Sequence, residues 1–362
     1  MANIGGKAMT VLVIPAAGLS TRYNLGRPKF LLQHPKGETM LEASIRGILR
    51  NTTGSITSIQ VISLASYFVK ISSNALKNRI ENSFGIPCEI LLLEKETSSM
   101  VETVCKGIEQ LILDESIIVK DCDNEVVFSQ ESKLNAENFI TFVDLKDYPE
   151  IEAGNKSFLK INSANTLEHI IEKQIVSSLI NVGAVKFHRA SDFLAAAKEL
   201  SGAKETYVSD VVKILLSRGH VFATTKAENY EDWGTQKEWL KYCSTFSTLF
   251  IDLDGVLVQN ENSLGQLTNW SSFRVIDNNY QYLIEMYKSG RHQFVFTTAR
   301  TENYRDALSL ELIKLGFSEF EIITGLFHSK RFIINDFSPT NPFPTAIAIN
   351  IQRDATNLSD FI

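Results

Sequence analysis

Four apolar residues, Val11-Leu12-Val13-Ile14, run without a polar interruption and break at once into Pro15-Ala16-Ala17-Gly18. A run of this length and β-branched content has the composition of a strand buried on both faces of a parallel sheet. Such a strand obliges the chain to cover the sheet twice. The rest of the first two hundred residues agrees: Ile59 to Leu64, Ile90 to Leu93 and Ser116 to Lys120 read as further strands, while Leu41 to Asn51 and Met100 to Leu113 carry helical spacing. Alternation of this kind predicts right-handed crossovers and a doubly wound α/β sheet. Ligands of such sheets bind beyond the carboxyl ends of the strands, so chemistry is expected in the loops that follow them.

The first such loop is small and then basic. Ala16, Ala17 and Gly18 leave backbone N–H groups uncovered for an anion, and Arg22 and Lys29 add positive charge. Ordinary surface cations on a strand-to-helix turn would look the same. Neither GxxxxGK[ST] nor GxGxxG occurs here, which excludes the P-loop and the dinucleotide fingerprint at this loop. Thr97-Ser98-Ser99 precedes a helical segment and could simply cap it. At Asp121-Cys122-Asp123-Asn124, carboxylates at i and i+2 share one side of an extended chain and could hold a divalent ion; an Asp-rich turn is the plain alternative. A second i, i+2 pair, Asp252 and Asp254, follows a fresh apolar strand and is closed by Gly255.

With 362 residues the chain can build two cores. The join, Trp239 to Thr248, lacks Pro or Gly enrichment and predicts a short, fairly rigid connection between domains at 1–245 and 246–362. A net charge of −6 argues against nucleic acid or an anionic membrane as partner. No apolar run reaches membrane-span length and the N-terminus carries no signal-peptide pattern, so a cytoplasmic location is expected. Cys88, Cys105, Cys122 and Cys243 are too scattered for a zinc or disulfide framework. Cys122, between two aspartates, reads as a small buried residue because negative neighbours disfavour its thiolate.

The opening stretch resembles the signature of the sugar-phosphate nucleotidyltransferases: Pro15-Ala16-Ala17-Gly18, Ser20-Thr21-Arg22, Pro28-Lys29, then Phe30-Leu31-Leu32 and Met40-Leu41-Glu42. The resemblance implies that Ala16, Ala17, Gly18, Ser20 and Thr21 wrap an NTP triphosphate, while Arg22 and Lys29 act on the phosphates during attack at the α-phosphorus. It implies that Thr97 and Ser98 contact base and ribose, although a glycine common there is missing. Asp123 becomes a Mg²⁺ ligand, completed by Asp232 in Tyr230-Glu231-Asp232-Trp233-Gly234-Thr235, which is similar to a late D-x-GT segment. Two carboxylates plus phosphate oxygens suffice for this hard ion. On the acceptor side it implies Lys156 in Asn155-Lys156-Ser157-Phe158, the pair Glu172 and Lys173, and Gly183; solvated surface lysines are the alternative for Lys156 and Lys173.

Leu249-Phe250-Ile251-Asp252-Leu253-Asp254-Gly255 resembles the DxDG opening of haloacid-dehalogenase-type phosphatases. Carried over, Asp252 is the nucleophile forming an aspartyl phosphate and Asp254 the acid that protonates the leaving alcohol. Thr298 would bond the phosphoryl group, Lys330 neutralise it, and Asp336, at the end of a last strand Phe332 to Asp336, hold Mg²⁺ with Asp252 and Asp254. Asn335 departs from the two acidic residues common there. About forty residues separate the first two motifs, too few for a large cap domain.

The fold class expected is therefore α/β: a nucleotidyltransferase-type doubly wound mixed sheet, then a smaller, capless, Rossmann-like phosphatase domain. The expected activity is bifunctional. One domain joins an NTP, with a lean towards a pyrimidine base, to a phosphorylated sugar or polyol for a surface polysaccharide, and the other hydrolyses a phosphomonoester, each with Mg²⁺. A second domain that binds without turnover, or an acceptor such as phosphocholine or a phosphorylated amide, is the alternative. Oligomeric state, a homo-oligomer included, does not follow from the chain.

Overall fold

The computed structural model describes residues 10–19, 23, 27–50, 55–111, 115–129, 135–202, 205–260, 273–336 and 345–362. Ser20, Thr21 and Arg22 lie outside them. The chain divides into two compact units, Met1–Cys243 and Ser244–Ile362.

In the first unit a mixed sheet runs through β1 (Thr10–Ala16), β2 (Ile56–Leu64), β3 (Cys88–Leu93), β4 (Ser116–Lys120), β5 (Asn124–Phe128), β6 (Phe139–Asp144), β9 (Leu179–Phe187) and β10 (Ala223–Asp232) in the order β3-β2-β1-β4-β9-β6-β10-β5. The hairpin of β7 (Ser157–Ile161) and β8 (Leu167–Glu172) joins it where Phe158 pairs with Ile180. The two-sided strand is visible in β1: Leu12 and Ile14 enter one core and Val11 and Val13 the other. Each fully buried side chain of this size contributes about 2 kcal/mol. Helix α1 (Met40–Leu49) covers the first face with Leu41, Ile45 and Ile48. It starts at a capping box, in which Thr39 Oγ1 accepts from the Glu42 N–H and Glu42 Oε2 from the Thr39 N–H, at 3.2 and 2.7 Å. Helices α3 (Met100–Ile108), α4 (Ala190–Glu199) and α5 (Val208–Ser217) cover the other face; α2 (Ser73–Phe84) adds Leu76 and Ile80 to the first, and ends at Gly85 in the left-handed conformation.

Strand direction decides where functional side chains gather. β4 is antiparallel to β9, β9 to β6, and β6 is parallel to β10, so β10 runs with β4 and both end at one edge of the sheet. β5 then starts at that edge, with Asn124 opposite Asp232. Helix α6 (Gln236–Cys243) closes the unit.

The second unit holds a three-stranded parallel sheet, β11 (Ser247–Asp252), β12 (His292–Thr297) and β13 (Glu321–Ile323), with helices α7 (Asp277–Lys288) and α8 (Arg305–Lys314). Leu253, Leu257, Phe294, Phe296 and Phe317 form its centre. The strand expected over Phe332 to Asp336 is absent: this segment is irregular, with Phe332 83 % and Ile334 94 % exposed. β-prone composition makes a strand only where a sheet edge pairs with it. No described residue of this segment joins a strand.

Candidate active site

At the carboxyl edge of the first unit's sheet lies a cleft of about 590 Å³. Ala16, Ala17 and Gly18 line it from the end of β1, Lys29 from a short 3-10 turn, and Thr97 from the loop before α3. Asp121 and Asp123 enter it from the β4–β5 turn, Lys156 and Glu172 from the β7–β8 hairpin, Gly183 from β9 and Asp232 from β10. The opening loop is held from behind, where Ser63 Oγ donates to Ala16 O at 3.2 Å and the Tyr67 hydroxyl to Gly18 O at 2.8 Å.

Asp123 and Asp232 are neighbours. The Trp233 N–H donates to Asp123 O at 2.9 Å, one residue beyond the Asn124–Asp232 pairing. Each carboxylate carries an ammonium partner, Lys29 on Asp123 and Lys156 on Asp232. Burial opposes the charged form of Lys156, but Tyr230 and the Asp232 carboxylate outweigh it and its pKa is raised. Two carboxylates and two ammoniums thus face one space. Both carboxylates are taken up by these ammoniums and no third His, Cys, Asp or Glu among the described residues joins them, so a divalent ion would bind here by displacing Lys29 and Lys156 and taking its remaining ligands from phosphates and water.

Asp121 sits differently. Its carboxylate fills the hollow above Gly183, where a Cβ would stand 1.9 Å from Oδ2, and Gly183 has φ +78°. Burial, then the neighbouring Asp123, pushes its pKa up to about 6. The hollow that the resemblance assigns to an acceptor is thus filled by the chain's own carboxylate. Glu172 Oε2 accepts from Ser157 Oγ and from Ser209 Oγ, the latter at 2.7 Å. Lys173 is not among the cleft residues: it has φ +55° and lies against the Tyr207 ring, 4.6 Å from its centroid. Ser98 also turns away, bonding Glu102 Oε2 through Oγ and N–H at 2.7 Å each, while Ser99 caps α3. Thr97 Oγ1 meets Thr103 Oγ1 at 2.5 Å.

Three residues essential to this geometry escaped the sequence reading. Lys120, at the end of a buried strand, is fully enclosed. Burial lowers its pKa to about 8. Tyr23 donates to Trp233 O and so ties the opening segment to the Asp232 loop. His34, also fully buried, accepts from the Lys36 N–H through Nδ1 at 3.1 Å, so its Nε2–H faces the Tyr242 hydroxyl at 2.9 Å and helps seat α6. Cys122 is buried and its thiol is pushed up to about 12 by burial, in keeping with an inert packing residue.

In the second unit, Asp252 pairs in register with Thr297, and Gly255, with φ +94°, turns the chain immediately after Asp254. Asp254 is gripped by Arg300, whose Nη2 and Nε reach Oδ1 at 2.6 and 3.1 Å, and by Thr298 Oγ1 at 2.8 Å from Oδ2. The Thr298 hydroxyl therefore faces Asp254. Arg300, two residues beyond Thr298, has no role in the sequence reading. The cation set against Asp252 is Arg331, at 3.2 Å, rather than its neighbour Lys330, which is exposed. Burial raises the Asp252 pKa. Asp336 belongs to the exposed irregular segment, and among the described residues no group of three His, Cys, Asp or Glu side chains is placed to hold a metal ion. The expected magnesium site of Asp252, Asp254 and Asp336 does not fit this arrangement, because Asp254 is committed to Arg300 and the strand that would carry Asp336 does not form.

No family model and no curated protein sequence matches the chain. Solved structures do. A nucleoside-diphosphate-sugar pyrophosphorylase from Vibrio cholerae superposes with a TM-score of 0.55 and 22% identity, over 64% of this chain and 99% of its own. An inositol-1-phosphate CTP transferase from T. maritima gives 0.51 and 13%, over 64% and 91%. A putative glucose-1-phosphate thymidylyltransferase from Bacillus anthracis gives 0.50 and 16%, over 66% and 94%. Over about two thirds of its length the chain has the sugar nucleotidyltransferase fold. At these identities the likeness speaks for the fold alone, and the chemistry rests on the side chains described above. No helix among the described residues is long and apolar enough to cross a membrane.

Proposed function

We propose that the first unit transfers a nucleotidyl group from an NTP to a phosphorylated sugar or polyol and releases pyrophosphate. The observation that carries this reading is the meeting of Lys29–Asp123 and Lys156–Asp232 in one cleft at the carboxyl edge of the sheet. The NTP triphosphate lies along Ala16 to Gly18; Ser20, Thr21 and Arg22 are further phosphate contacts by the sequence resemblance. An acceptor phosphate oxygen attacks the α-phosphorus, and the bond from that phosphorus to the β-phosphate oxygen breaks. Lys29 and Arg22 offset charge on the attacked and leaving groups, Lys156 steers the acceptor phosphate, and Glu172 takes an acceptor hydroxyl. Mg²⁺ held by Asp123 and Asp232 would supply further charge stabilisation. Little proton transfer is needed, since the nucleophile is already an oxyanion.

For the second unit, the DxDG segment supports phosphomonoester hydrolysis with Asp252 as nucleophile. The P–O bond to the alcohol breaks as the aspartyl phosphate forms, Asp254 protonates the alcohol only once it has parted from Arg300 and taken up a proton, and water then releases phosphate. The grip of Arg300 on Asp254 favours a second reading, a unit that binds a phosphorylated ligand without turnover. Both readings fit a cytoplasmic protein that prepares an activated precursor of a surface polysaccharide.

The test is direct. Purified protein is incubated with each NTP, Mg²⁺ and a panel of phosphorylated sugars, polyols and phosphocholine, and pyrophosphate is measured. Release with one sugar or polyol phosphate, lost in Asp123→Asn, is expected; no release with any pair from folded protein refutes the transferase. Phosphate release from p-nitrophenyl phosphate or sugar phosphates, abolished by Asp252→Asn, separates hydrolysis from mere binding.

A further inference from the structure

Lys120 is 0 % exposed, and among the described residues its ammonium is hydrogen-bonded to neutral groups, Ser44 Oγ at 3.0 Å, Asp121 O at 2.7 Å, Asn124 O at 3.0 Å and Asn124 Oδ1, with the Asp121 and Asp123 carboxylates acting on it electrostatically. The first and last residues of the 121–124 turn are therefore fastened to one point beneath it. Ser44 Oγ adds its own bond to Asp121 O at 2.8 Å, which links the turn to α1. On the other side Asn124 Nδ2 donates to Val182 O at 3.1 Å and the Asp121 N–H to Gly183 O at 3.0 Å, which links it to β9. An aliphatic side chain would fill the same space without the desolvation that a buried ammonium incurs. Neutral packing is not what this position provides.

We propose that Lys120 is a positioning residue for nucleotidyl transfer, which clamps both ends of the turn so that Asp123 stands beside Asp232. The inference rests on the reading of the first unit as a nucleotidyltransferase whose carboxylates hold a divalent ion. A buried ammonium repels a nearby divalent cation. Its benefit therefore comes through the geometry it imposes, and removing it has a sign that can be read: lost charge alone tightens metal binding, whereas a lost clamp weakens it.

The experiment titrates Mn²⁺, followed by electron paramagnetic resonance, into the full-length protein with each α,β-methylene NTP, alongside thermal unfolding and steady-state kinetics. Lys120→Met is expected to raise the Mn²⁺ dissociation constant at least tenfold and lower kcat while leaving the acceptor KM within twofold. Lys120→Gln, which keeps a donor without the charge, should fall between. Leu76→Ala, a core truncation away from the turn, lowers Tm but should leave the Mn²⁺ constant within twofold. A folded Lys120→Met protein that binds Mn²⁺ equally well or more tightly overturns the proposal. If that variant does not fold, Ser44→Ala decides, since it keeps the ammonium and removes one anchor: a weakening of threefold or more is expected, and no change overturns the proposal. Failure of the wild type to take up Mn²⁺ with any nucleotide would instead refute the functional reading itself, and this inference with it.

Discussion

Replacing Gly183 by alanine tests the seat of the Asp121 carboxylate. Two costs are separable. An L side chain at φ +78° carries strain of about 1–2 kcal/mol. The new Cβ would also stand 1.9 Å from Asp121 Oδ2 and 2.6 Å from Cγ, so the carboxylate must leave its hollow, an overpacking cost of about 1–3 kcal/mol. Gly85 provides the control: its φ is +65° but nothing lies within 4 Å of a Cβ there, so Gly85→Ala bears the strain alone. At roughly 2–4 °C per kcal/mol for a unit of this size, Gly85→Ala should lower Tm by about 5 °C and Gly183→Ala by about 10 °C. Asp121 and Asp123 share a turn, so Gly183→Ala should also slow pyrophosphate release at least tenfold, whereas Gly85→Ala leaves it unchanged. Circular dichroism melts and the pyrophosphate assay read both. Equal Tm losses with unaltered turnover in both variants would refute the packing of Asp121 over Gly183.

Acid should loosen the first unit through His34, whose pKa burial lowers to about 3. The unfolded chain takes up the proton near pH 6.5 and the folded one does not, so this stability is complete above pH 6.5 and is lost as pH falls towards 3. At pH 5 the loss is about 2 kcal/mol, measurable by urea unfolding and flattened in His34→Gln. Lys29→Met should lower kcat by about a hundredfold or more while Lys156→Met chiefly raises the acceptor KM, a division that steady-state kinetics would expose. Asp254→Asn leaves Arg300 without its carboxylate in a largely buried setting and should cost the second unit about 3 kcal/mol in denaturant unfolding; an unchanged midpoint would show that the pair carries no structural role. Ile334→Asp, at an almost fully exposed position, should shift unfolding by no more than about 0.5 kcal/mol, and a large loss would mean that the segment is packed after all.

The strands of the first unit were legible for more than one reason: β1 and β4 are short apolar runs buried on both faces, whereas β2 was read through its polar Gln60 and Ser63, and β3 is an apolar run at the sheet edge of which only Cys88 is buried. Helix α3 was legible as a helix but ends at Ile108, short of Leu113. Phe332 to Asp336 misled because composition records an appetite for strand and says nothing about a partner edge. Lysines were the least readable residues. Lys120 looked like the polar end of a strand, yet is fully enclosed, while Lys173, set in a promising motif, lies out on Tyr207. Local sequence does not encode which long side chain will find acceptors beneath a turn. Ser98 shows the same limit from the other side: its N–H and hydroxyl are both taken by the Glu102 carboxylate in the first turn of α3, while the next serine caps the helix.

The bonds from Tyr23 to Trp233 O and from the Trp233 N–H to Asp123 O bring three stretches of chain, separated by about a hundred residues each, to one place. On the ribosome the early strands emerge long before Asp232 does. A polypeptide truncated short of that residue would have its opening loop and its first carboxylate but neither the second carboxylate nor the backbone that Tyr23 holds, so nascent chains and early-stop fragments should be silent in catalysis however well their β-strands have formed.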